Sequence, residues 1–190
     1  MPERSNGPGL GPGGSCLRGF ESSSPHNMQD LPKHKKILET KQKELEEDSC
    51  VVGIYLIGSL ARGSATESSD IDIEIIYSKG HDTYTLQDEF VDGIKIGMGL
   101  YPLKEFEKDC TKMPYTGYCN LVAKILYDPQ GVVQRNLEKV NIYFEKNQKI
   151  RTFWEEKEKK FQDAKRNGKK AETYFEILDE LEKKIAKGEL

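Results

Sequence analysis

The apolar run Val51-Val52-Gly53-Ile54-Tyr55-Leu56-Ile57 has no charged position and is rich in β-branched residues. It predicts a strand buried on both faces. Ahead of it, Ile37, Leu38 and Leu45 recur among lysines and glutamates, the spacing of an amphipathic helix running from about Pro32 to near Asp48. From Ile71 to Tyr77 acids alternate with isoleucines. Such a strand turns Ile71, Ile73 and Ile75 into a core and its acids to the other face. Ile94 to Tyr101 reads as a further strand, entered through the turn-forming pair Asp92-Gly93, with Asp82 to Val91 as its shorter hairpin partner. After Pro102 one helix face carries Leu103, Phe106 and Cys110. Lys124 to Tyr127 is a last strand, closed by the turn Asp128-Pro129-Gln130-Gly131.

Beyond Val132 the periodicity is helical throughout. Trp154, Phe161 and Ala164 mark one stripe; Tyr174, Leu178, Leu181 and Ile185 mark another; Asn167-Gly168 lies between as a C-cap and turn. The fold class that follows is α/β (α+β): a small mixed β-sheet flanked by helices, with a C-terminal helical extension.

Residues 1–30 break this pattern, with six glycines, four prolines and only three leucine or phenylalanine side chains. That composition cannot offset the entropy of ordering, so a disordered Gly/Pro/Ser-rich tail is expected there. The expected division is this tail, a domain over 31–135 and a helical region over 136–190.

Across 190 residues, apolar side chains make up 36% and charged ones 32%, so exposed helical faces are expected, and the many lysines and glutamates after 132 read as such. With 29 basic against 32 acidic residues the net charge is −3, which argues against nucleic acid as a partner. No run spans a bilayer and no signal peptide opens the chain. Cys16, Cys50, Cys110 and Cys119 form no CxxC pair, so zinc is not expected; free thiols and a cytoplasmic location are.

The chemistry concentrates in Gly58-Ser59-Leu60-Ala61-Arg62-Gly63-Ser64-Ala65-Thr66-Glu67-Ser68-Ser69-Asp70-Ile71-Asp72-Ile73. Gly-Ser directly after an apolar strand allows a tight turn and close approach of a ligand. A helical turn beginning there aims backbone amides at an anion, for which triphosphate oxygens are the natural guest. Asp70 and Asp72, two apart in a strand, share one face, and two adjacent like charges call for a divalent cation. A phosphate cradle and a carboxylate pair are the minimum apparatus for nucleotidyl transfer.

This stretch resembles the nucleotidyltransferase superfamily related to DNA polymerase beta, and most of all its minimal and antibiotic nucleotidyltransferases. The shared signature is an apolar strand, Gly-Ser, a spacer of ten residues and Asp-apolar-Asp-apolar, here Gly58-Ser59 and Asp70-Ile71-Asp72-Ile73. The similarity covers roughly 35–135. It implies Asp70 and Asp72 as catalytic residues holding Mg²⁺ (or Mn²⁺), and Gly58, Ser59, Arg62 and Ser69 as nucleotide-binding. It also implies a nucleoside triphosphate, ATP first, as donor of AMP to a hydroxyl of a small molecule or protein, with pyrophosphate released. The C-terminal helices would form an acceptor wall or a homodimer contact.

One departure stands out. Such domains carry a third carboxylate on the later strand, where this sequence has Gly97 or Gly99. Glu74 shares the face of Asp70 and Asp72 but is expected at the rim, about 7 Å along the strand. Asp88, Glu89 and Asp92 are expected as hairpin surface charges. The missing acid keeps a second reading alive: a nucleotidyltransferase-fold module that binds nucleotide or a protein partner without catalysing.

Overall fold

The computed structural model describes residues 31–109 and 118–190; the tail over 1–30 and Cys110 lie outside them. In chain order the elements are α1 (Pro32–Glu46), β1 (Val51–Ile57), α2 (Gly58–Arg62), β2 (Ile71–Tyr77), β3 (Thr85–Val91), β4 (Ile94–Pro102), α3 (Leu103–Asp109), a 3₁₀ turn (Tyr118–Val122), β5 (Lys124–Tyr127), α4 (Val132–Lys146), α5 (Gln148–Arg166) and α6 (Tyr174–Ala186). The expected α+β class with a small mixed sheet is what the chain forms.

The five strands lie in the order β3-β4-β2-β1-β5. Only β2 and β4 run parallel; β1 pairs antiparallel with both β2 and β5, and β3 with β4. The β3–β4 hairpin turns at Asp92 and Gly93, both at positive φ (51° and 81°), as the Asp-Gly pair predicts. On one sheet face Ile71, Ile73, Ile75, Ile96, Met98 and Leu100 pack against Ile37 and Leu38 of α1. On the other, Tyr55, Ile57 and Tyr101 meet Phe106 of α3 and Val133 and Leu137 of α4. β1, enclosed between β2 and β5, is buried along its whole length, as its uncharged sequence requires.

A third cluster joins the last three helices through Val140, Phe144, Phe153, Trp154, Ile177 and Leu181. Here the structure departs from the sequence reading in two ways. Asn147 interrupts the helical run: its Nδ2 donates to the Tyr143 carbonyl at 2.8 Å, and its backbone (φ −118°, ψ 62°) separates α4 from α5. Nor is every lysine and glutamate of α5 solvated. Lys157 lies on the apolar stripe, three residues after Trp154, and is 5% exposed; its Nζ reaches Glu172 at 2.9 Å and Glu180 at 2.5 Å. A buried cation is tolerable only with such partners, and the partners sit on a segment whose position no local pattern reveals.

The free-thiol expectation holds for Cys50 and fails for Cys119, which is disulfide-bonded. Proximity in the folded chain, not spacing in sequence, decides which thiols meet. Among the described residues no helix is long and apolar enough to cross a membrane.

Candidate active site

β1 and β2 are registered so that Ile57 stands beside Asp72. The chain therefore leaves β1 at Gly58 directly against the Asp72 side chain. Gly58 has φ +71°, and a Cβ built there would collide with Asp72 Oδ2. Glycine is required at this place on two counts: the left-handed backbone, and the space that the carboxylate occupies. The five-residue α2 ends at Gly63 (φ +75°), and the turn is locked by Ser64 N–H donating to the Ser59 carbonyl at 3.0 Å. Ser59 is 2% exposed, and its Oγ has no hydrogen-bond partner in the structure. A buried hydroxyl left without a partner costs free energy, so it marks a place where a polar ligand atom is wanted.

The loop to β2 is held from below. Thr66 N–H donates to Ser69 Oγ at 2.9 Å, and His34 Nε2–H of α1 donates to the Ser69 carbonyl at 2.8 Å. Ser69 is buried and engaged inside the loop, where it fixes the start of β2. Asp70 precedes β2 and is half-buried; Asp72 lies within it and is 5% exposed. Arg62, at the end of α2, is tied to α5: its Nε lies 3.2 Å from Glu158 Oε1 and both side chains are largely buried. Glu158 has no local signal in the sequence, because it is the fold that brings it to α2.

Across the sheet the same face continues through β4 to β3. Asp72 is paired with Gly97, and Gly97 with Asp88. A Cβ at Gly97 would lie 3.0 Å from Asp72 Oδ1 and 3.9 Å from Asp88 Oδ1. Two carboxylates thus look into one opening from opposite sides, and the residue between them has no side chain. Lys95 shares this phase, and its Nζ lies 2.9 Å from Asp88 Oδ2. Leu86 and Phe90, in phase with Asp88 along β3, are 45% and 71% exposed. Asp88 is the exposed hairpin charge that was expected, and its Oδ1 also lies toward Gly97. Glu89 points to the other face, pairing with Lys41 of α1 at 2.7 Å, and Asp92 belongs to the turn, where its carbonyl accepts from Lys33 Nζ at 2.7 Å.

The rim position expected for Glu74 is wrong. Glu74 is 4% exposed and lies over Gly99, occupying the space a side chain there would need. Tyr84 Oη covers it and donates to Oε1 at 3.5 Å, while Oε2 has no partner. Distance along the strand was a poor guide because the glycine on β4 opens room beneath Tyr84. Burial, and then the charge of Asp72, push the Glu74 carboxyl up to about 8, against the opposing hydrogen bond from Tyr84.

A carboxyl that is more basic folded than unfolded keeps its proton in the native state after the unfolded chain has lost it. Stability is then full below about pH 4.5 and falls as pH rises toward 8, by on the order of 4 kcal/mol. Glu74→Gln removes the ionisation. In metal-free buffer it is expected to melt close to wild type at pH 5 and well above it at pH 8.5. Parallel melting curves for the two proteins across that range would show that Glu74 does not titrate in this way.

The donors here are carboxylate oxygens, which suit a hard cation. Among the described residues no three His, Cys, Asp or Glu side chains converge into a ready metal group. The set fits an ion that holds one or two protein carboxylates and completes its shell with phosphate and water.

The model of the nucleotidyltransferase domain family matches residues 31–186. Two proteins of Methanocaldococcus jannaschii, both provisionally named protein adenylyltransferases, are 48% identical over 50 residues and 46% identical over 48. These stretches are 26% and 25% of this chain, and the chain spans only about half of each relative, 51% and 56%. A crystal structure of a nucleotidyltransferase-like protein from Exiguobacterium sibiricum aligns with 54% of this chain and 37% of its own, at 11% identity and a TM-score of 0.44.

Proposed function

This chain belongs to the nucleotidyltransferase domain family, and from that premise we propose that it transfers AMP from ATP to a hydroxyl, releasing pyrophosphate. The observation that carries the reading is the contact of Gly58 with the Asp72 carboxylate, which joins the Gly-Ser turn and the acidic strand into one site. Ser59 Oγ, buried and without a partner, would donate to a phosphate oxygen. Arg62, steadied by Glu158, would face the same anion. Asp70 and Asp72 would hold Mg²⁺ or Mn²⁺, which when bound neutralises charge developing on the phosphates. The acceptor oxygen forms a bond to the α-phosphorus as the bond from that phosphorus to the β-phosphate oxygen breaks, and pyrophosphate leaves with the electron pair.

Two acceptor classes remain, a small molecule and a protein side chain. The names of the two archaeal relatives favour the protein. So do Leu86 and Phe90, an exposed apolar border on the acceptor side of the acids that suits a bulky partner. The competing reading, a module that binds nucleotide without catalysing, draws on Gly97 where an acid is expected. Incubation with ATP labelled in the α-phosphate, Mg²⁺ and a mixed acceptor extract separates them. Label is expected to move to a protein fraction with matching pyrophosphate release. Tight nucleotide binding with no release would favour the binding module.

A further inference from the structure

We propose that Lys95 and Asp88, paired across the β3–β4 hairpin, take the place of the third carboxylate and of a second metal ion, so that this site works with a single cation. The inference rests on the nucleotidyl-transfer reading above. It begins from the position that lacks an acid. Gly97 lies between Asp72 on β2 and Asp88 on β3, in register with both. The point where its Cβ would stand is 3.0 Å from Asp72 Oδ1 and 3.9 Å from Asp88 Oδ1. A side chain at 97 would fill the opening that these two carboxylates share; glycine leaves it open, and half-buried Gly97 is reachable from solvent.

A positive charge is already supplied at that opening. Lys95 Nζ is 2.9 Å from Asp88 Oδ2, and the lysine side chain is 21% exposed while that of Asp88 is 50% exposed. Lys95, Gly97 and Gly99 share one phase of β4, so the ammonium stands on the site face. The pair uses Oδ2 of Asp88 and leaves Oδ1 toward Gly97. As a structural device it contributes little, since an ion pair open to solvent adds little to stability. As a catalytic device it is well placed. An acceptor hydroxyl over Gly97 would meet Asp88 Oδ1 as hydrogen-bond acceptor, and the ammonium would stabilise negative charge on the attacking oxygen. In the step itself the hydroxyl proton passes to Asp88, the oxygen bonds to the α-phosphorus, and pyrophosphate leaves with the electrons of the broken bond.

The test has two arms. Manganese is titrated by electron paramagnetic resonance in the presence of a non-hydrolysable ATP analogue, and pyrophosphate release from ATP is followed in a single turnover with the mixed acceptor extract present. Wild type is expected to bind one Mn²⁺ per chain. Asp88→Asn and Lys95→Met should keep that ion, the analogue affinity and the melting temperature, yet release pyrophosphate at least tenfold more slowly, with Lys95→Arg restoring most of the rate. A second ion in wild type that disappears in Asp88→Asn would make Asp88 a metal ligand and overturn the proposal. So would release that stops in Asp72→Asn but is unmoved in both pair variants. If wild type binds no ion with the analogue, or releases no pyrophosphate, nucleotidyl transfer itself is refuted and the pair falls with it.

Discussion

Asp72→Asn is expected to lower nucleotidyl transfer by about 10²- to 10³-fold, a loss of roughly 3–4 kcal/mol of transition-state stabilisation, while leaving the fold intact. Asparagine has the shape of aspartate and can lie in the hollow that Gly58 leaves for the side chain. What it lacks is the charge that holds a cation. Mg-ATP affinity measured by calorimetry should fall with the rate, and the difference between magnesium and EDTA should largely vanish. Without metal the variant should be no less stable than wild type, because the Asp72 charge is one cause of the raised Glu74 carboxyl and asparagine removes it. Equal Mg-ATP affinity in the two proteins, with and without EDTA, would dismiss Asp72 as a ligand.

The parts of this site that could be read in the sequence are those fixed by local periodicity. Gly58-Ser59 follows an apolar strand, and Asp72 alternates with Ile71 and Ile73, so turn, strand phase and charge were all written within sixteen residues. The phase of Ile96, Met98 and Leu100 along β4 is equally local, and in the sheet they share one core with the isoleucines of β2; that β4 lies beside β2 is a property of the fold. What could not be read was set by residues distant in sequence meeting in space. Glu74 owes its burial to Tyr84 and to the absence of a side chain at Gly99. Arg62 owes its partner to an α5 helix nearly a hundred residues later. Asp88 gains its outlook on Asp72 from a glycine on the strand between them. In sequence that glycine reads only as a missing acid; in the sheet it is an opening with a carboxylate on either side.

The two glycines of β4 should accordingly respond very differently to the same substitution. Neither has the positive φ that would itself resist a side chain, so the surroundings decide. At Gly99 a Cβ would overlap the Glu74 carboxylate and come within 2.7 Å of Tyr84 Oη, in a fully buried place. Glu74 cannot swing aside without displacing Tyr84, whose ring packs at a tilt against Tyr101, the centroids 4.4 Å apart. Gly99→Asp adds a second buried carboxyl to a pocket where the first is already reluctant to ionise. It is expected to cost on the order of 3–5 kcal/mol, enough to unfold a marginal domain. At Gly97 the nearest atom is Asp72 Oδ1 at 3.0 Å, the end of a side chain that can shift by a few tenths of an ångström, and the position is open to solvent. Gly97→Asp should cost about 1 kcal/mol in metal-free urea titrations. It should also place a carboxylate between Asp72 and Asp88 and so create a site for a second Mn²⁺ that wild type lacks. Similar midpoints for the two variants would mean that Glu74 does not fill the space over Gly99. A tolerant Gly97→Asp that gains no ion would mean that the opening between Asp72 and Asp88 is not where a cation can sit.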